Sequence, residues 1–119
     1  YYHSLKYFVS VKEAMLEMAE IAGGRGNKLV VVIFPVSSIM VKDFKENYPY
    51  WPLHKLVKSI NSNNIIFIDL IDEFNRLNMT PQSVSINYIY DESHKNAAAL
   101  KISAEYIYGI LKSNRVILE

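Results

Sequence analysis

The amino-acid sequence predicts an α/β fold, a parallel sheet with helices on both faces, and three observations carry that expectation. Apolar residues recur at helical period in the first and last segments. Two runs between them, residues 29–34 and 65–68, are continuously apolar and rich in β-branched side chains, and helical and extended patterns alternate along the chain. A strand with one wet face alternates apolar and polar residues. An unbroken run is the pattern of a strand covered on both faces, as in parallel sheets with right-handed helical crossovers. Two such strands are too few for a stable open sheet, so the pattern predicts further strands upstream. Residues 1–119 are therefore expected to form the C-terminal portion of a single three-layer α/β/α domain.

Each element has its own local reason. Over residues 4–22, Phe8, Val11, Met15, Met18 and Ala22 recur on one face while Lys12, Glu13, Glu17 and Glu20 take the other, which predicts an amphipathic helix stopped at Gly23-Gly24. The strand over 29–34 is closed by Pro35, which has no N–H for a ladder. Residues 36–51 are an aromatic-rich loop, and Pro52 opens a short helix with Leu53, Leu56, Val57 and Ile60 on one face. Asn61 to Asn64 end it. The second strand, 65–68, carries Asp69 at its carboxyl end, and Ile71, Phe74 and Leu77 predict a short helical turn before Thr80-Pro81. Residues 82–90 have no clear period and are expected to be loop with extended pieces. Beyond Asn96, a stripe of Leu100, Ser103, Ala104, Ile107, Ile110 and Leu111 predicts a final helix packed on the sheet.

Composition removes several functional classes. Thirteen basic and 12 acidic residues are spread along 119 positions for a net charge of +1, so there is no polybasic face for a phosphate backbone and nucleic acid is not an expected partner. No apolar run approaches the roughly 20 residues that span a bilayer, so no transmembrane segment is expected. Without cysteine there is no disulfide framework, thiolate zinc site or cysteine nucleophile, and the compartment stays open. His3, His54 and His94 are too scattered to predict a metal site.

The chemistry-bearing stretch is Asp91-Glu92-Ser93-His94-Lys95-Asn96, which sets a carboxylate three residues before an imidazole at the start of the last helical pattern. A carboxylate on one ring nitrogen fixes the tautomer and leaves the other nitrogen free to take a proton from a hydroxyl nucleophile. In open α/β sheets ligands sit outside the carboxyl ends of the strands. The segments leaving those ends are Pro35-Val36-Ser37-Ser38 and Asp69 to Asp72, and regular connections bring the Asp91–His94 turn to the same rim. No Gly-x-Ser-x-Gly elbow is present, and Ser37 and Ser38 lack the glycines such an elbow needs, so both are expected to be turn residues.

In its order of elements, its strand ending in proline, its Ile68-Asp69-Leu70 strand end and its Asp-x-x-His-x-Asn block, the chain resembles the C-terminal half of the SGNH (GDSL-like) hydrolases, whose sheet is flavodoxin-like. The resemblance covers about the whole sequence. It implies a serine ester hydrolase, with an esterase, lipase or carbohydrate acetyl-esterase activity. Asp91 would be the acid of a catalytic triad, His94 its general base, and Asn96 would stand where the family has Pro or Asn. Ala99 stands where a glycine is common. The blocks with the nucleophilic serine and the oxyanion-hole residues belong to the family's N-terminal half and find no match here. The nucleophile is thus expected from outside this segment, the substrate would be a small-molecule or carbohydrate ester, and no cofactor is required. Two other readings stand beside this one. The first is a non-catalytic α/β half-domain or interaction module covered by another segment or chain, in which Asp91 or Ser93 caps the last helix. The second is an O-acyltransferase of polysaccharide, using the same triad with a sugar hydroxyl in place of water.

Overall fold

The structure, a computed structural model, describes residues 2–89 and 94–116. Seven elements follow one another: α1 (Tyr2–Gly24), β1 (Leu29–Ile33), α2 (Trp51–Lys58), β2 (Ile65–Asp69), α3 (Leu70–Arg76), α4 (Pro81–Val84) and α5 (Ala97–Ser113). The two apolar runs pair in parallel, in a register running from Leu29 opposite Ile65 to Ile33 opposite Asp69. The fold is thus a mixture of helix and strand around a small parallel sheet.

α1 ends at Gly24, where the sequence predicts, but the left-handed residue expected of that pair lies further on. Gly23 and Gly24 lie within the helix, and the left-handed residue is Gly26, with φ 72°. Its N–H donates to the Gly23 carbonyl, and the Asn27 N–H donates to the Ala22 carbonyl at 2.8 Å, a pair of bonds that satisfies two of the last helical carbonyls. Gly23 has a different reason to be glycine. A Cβ there would stand 2.3 Å from the Asn64 side chain, so the helix end lies close against the residue before β2.

The best-buried part of the molecule lies at the carboxyl ends of the strands. Val41, Phe44 and Tyr48 from the long loop after β1 pack with Ile68, Leu70, Ile71 and Phe74 from β2 and α3, Val84 from α4 and Ala99 from α5. By contrast, every residue of β1 and the first three of β2 are only half-buried, although nine of the ten strand positions are apolar.

Two further segments differ from expectation. Pro81–Val84, which spans the expected Thr80-Pro81 break and the start of the expected loop, is a helical turn closed by a capping box. The Thr80 side chain accepts from the Ser83 N–H and the Ser83 hydroxyl accepts from the Thr80 N–H, a reciprocal pair usually signalled by Glu or Gln at the third position. In α5 the inward face is Ala99, Ile102, Ser103, Tyr106, Ile107, Ile110 and Leu111, while Leu100 and Ala104 face solvent. The helix is capped by Asn96, whose Oδ1 accepts from the Ala99 N–H at 2.9 Å. Asp91 and Ser93, the expected caps, lie outside the described residues.

Candidate functional site

His94 is exposed, and it lies in a short extended segment that runs antiparallel to the residues after α4. Its carbonyl accepts from the Ile86 N–H at 3.0 Å, and the Asn96 N–H donates to the Val84 carbonyl at 2.8 Å. Ser85 and Lys95 form the bridge between these two bonds. Successive side chains of an extended segment point to opposite sides. The burial follows that rule, with His94 outward and Lys95 inward at 7 % exposure.

Lys95 reaches the loop that leaves β1. Its Nζ donates to Ser37 Oγ at 3.0 Å, and Ser37 is completely buried. The Ser85 hydroxyl lies 2.8 Å from the Ser37 carbonyl and 2.7 Å from that of Pro81. The His94 segment is thereby joined to the carboxyl end of β1, the rim where ligands of open α/β sheets sit. Asp91 lies outside the described residues. Ser38 opens a turn, its carbonyl accepting from the Val41 N–H at 2.9 Å, while Ser37 lies in the irregular stretch before it and has no exposed surface to offer a substrate.

A second cluster, missed from sequence, lies on the other side of the same loop. Asp69, at the end of β2, lies 2.8 Å and 3.0 Å from His54 Nδ1, accepts from Lys58 Nζ at 2.9 Å, and caps α3 by accepting from the Ile71 N–H. The other ring nitrogen of His54 is 2.8 Å from the Tyr48 hydroxyl, which itself accepts from the Val36 N–H at 3.1 Å. Because a carboxylate only accepts, Nδ1–H donates to Asp69, and Nε2 shares a hydrogen bond with the Tyr48 hydroxyl. Burial, opposed by the Val36 bond and reinforced by the nearby charge of Asp69, pushes the Tyr48 hydroxyl up to about 12, so it keeps its proton. For Asp69, burial acts to raise the pKa, but the hydrogen bonds and charges of His54 and Lys58 together outweigh it and hold the carboxyl below its ordinary range.

This Tyr48–His54–Asp69 chain has the connectivity of a proton relay, yet both ring nitrogens of His54 are occupied by protein and the residue is 3 % exposed. It is a scaffold for the loop after β1. A mainly apolar cavity of about 170 Å³ borders it, with walls that include Ile33, Phe34, Tyr50 and Val57. The sequence signal was faint. His54 falls on the inward face of α2 beside Val57, where a lone histidine passes as core, and Leu53, expected inward, is exposed.

The larger grooves lie elsewhere. One, of about 660 Å³, joins the ends of α1 and α5 around Arg25, Lys28 and Arg115, beside the start of β1 and away from its carboxyl end. Among the described residues no three His, Asp or Glu side chains gather as metal ligands, and no helix is long and apolar enough to cross a membrane. Comparison of the chain with protein-family models, with curated proteins and with solved structures finds no significant match.

Proposed function

We propose that this chain is the C-terminal part of a three-layer α/β/α serine ester hydrolase of SGNH type, with His94 as general base and Asp91 as the carboxylate that orients it. The observation that carries the reading is the setting of the Asp-x-x-His-x-Asn block. His94 is exposed on a segment fastened to the carboxyl end of β1, while the cap of α5 is supplied by Asn96. The N-cap position of α5 falls to Asn96, which supports a different role for the acid of the block. The half-buried apolar strands support the larger sheet, because parallel strands of this composition are ordinarily covered and paired on both sides.

In the proposed reaction a serine hydroxyl from outside residues 1–119 attacks the ester carbonyl while His94 takes its proton. His94 then returns that proton to the leaving alkoxide, and water repeats the cycle on the acyl-enzyme. Asp91 holds the tautomer and stabilises the imidazolium. Acyl transfer to a sugar hydroxyl differs only in the second acceptor.

The test is turnover of para-nitrophenyl acetate by the full-length protein. His94→Ala is expected to lower kcat by about 10²–10⁴-fold with folding preserved. Asp91→Asn should lower it less, through the wrong imidazole tautomer. Near-normal turnover in His94→Ala would remove His94 from the chemistry.

A further inference from the structure

The residue after His94 is an unusual choice for an interior position. Lysine gives up strong hydration when buried, and a valine or leucine would fill the inward position of an extended segment without that cost. Lys95 is nevertheless 7 % exposed, and its Nζ reaches across 58 residues of sequence to Ser37 Oγ at 3.0 Å. The Ser85 hydroxyl, on the bridge partner of Lys95, donates to the Ser37 carbonyl, so Ser37 is tied by its side chain to Lys95 and by its backbone to Ser85.

We propose that Lys95 is a positioning residue that sets the orientation of the His94 imidazole, acting through Ser37. Two constraints combine. Because side chains alternate in an extended segment, drawing Lys95 inward commits His94 to the outward face. The contact to Ser37 then ties that segment to the loop leaving β1, and the Ile86 and Asn96 backbone bonds hold it on either side. The base is thereby held in register with the carboxyl end of the sheet, where the proposed substrate carbonyl would sit. A reacting group displaced by about 1 Å can lose about 100-fold in rate. This role rests on the reading of His94 as general base.

The experiment compares Lys95→Met, Ser37→Ala, the double variant and His94→Ala in the full-length protein. It measures kcat and KM for para-nitrophenyl acetate, and the thermal unfolding midpoint of each variant. Lys95→Met is expected to lower kcat by about 10–100-fold while leaving KM within about twofold, the split expected when geometry at the reacting atoms is lost and binding is kept. Ser37→Ala should lower kcat in the same direction with little disturbance of packing. The double variant should fall no further than Lys95→Met alone, because the contact that Ser37→Ala breaks is already lost in Lys95→Met. Should Lys95→Met fail to fold, the kcat and KM of Ser37→Ala decide. If His94→Ala is inactive while Ser37→Ala and any folded Lys95→Met keep kcat within about twofold of the parent, the positioning role is wrong and the base assignment stands. If His94→Ala retains turnover, the base assignment itself falls and the positioning role goes with it.

Discussion

The Tyr48 hydroxyl joins three parts of the chain, accepting from the Val36 N–H beyond β1 and lying 2.8 Å from His54 of α2, which in turn holds Asp69 at the end of β2. Tyr48→Phe keeps the ring and its edge contacts with Phe44, Trp51 and His54 while leaving two buried polar groups unpaired. The expected loss is about 1–3 kcal/mol in urea unfolding with an unchanged denaturant slope. An unaltered midpoint would show that the hydroxyl is dispensable to the scaffold. The carboxyl at the far end of the chain gives a pH dependence. Asp69 is held below its ordinary value in the fold, so on acidification the unfolded chain takes up the proton first, below about pH 4. This contribution is fully present above the unfolded pKa, and stability falls as pH drops toward and through the lowered folded pKa. Glu73, lowered by its hydrogen bonds from Arg76, acts with the same sign. Asp69→Asn should therefore be less stable at neutral pH but show a shallower decline below pH 4. Equal slopes for parent and variant would mean that Asp69 carries none of the acid sensitivity.

At the scale of elements, hydrophobic period announced the long helices but not their rotation. The stripe drawn from sequence put Leu100 and Ala104 inward, whereas the observed face turns toward Ile102 and Tyr106, because α5 packs against α3 and buries what that neighbour can cover. Asn96, read as a match to a family position, is also the cap that begins α5. Its Nδ2 donates to the Ser83 carbonyl at 2.8 Å, which links the start of α5 to α4. Asn96→Ala should cost about 0.5–2 kcal/mol as a lost cap. Asn96→Asp, which keeps the acceptor and loses the donors, should recover most of the capping part. Chemical denaturation of the two variants checks this, and equal losses would show that the bond to Ser83, and not the cap, stabilises this end. The capping box of Thr80 and Ser83 went unread because its third position is a serine, whose short side chain signals turn and cap alike.

For the whole molecule, the parallel pairing was legible because continuous β-branched runs leave a strand few alternatives. The spacing of the Asp-x-x-His motif singled out His94, whose role as base is a proposal. The Tyr48–His54–Asp69 chain and the Lys95–Ser37 contact were not legible, since their members are spread over the sequence and only the fold brings them together. The same fold leaves much apolar surface uncovered. Among the described residues the sheet has two strands, so each has a backbone edge without a partner strand, and Tyr7, Met40, Ile86 and Ile89 are each more than 60 % exposed. Phe34, at the exit of β1, is exposed as well. Unpaired strand edges and contiguous apolar side chains recruit other chains. The 119-residue chain by itself is therefore expected to self-associate, with a sedimentation coefficient that rises with concentration in the micromolar range. If the edge of β1 is the contact, Phe34→Lys sets a charge beside it and should raise the concentration at half-association by about tenfold, equivalent to about 1.4 kcal/mol. A chain that sediments as a monomer at every concentration, with one sharp unfolding transition, would show that these residues are stable without a further strand or partner, and the expectation of a larger sheet would lose its physical basis.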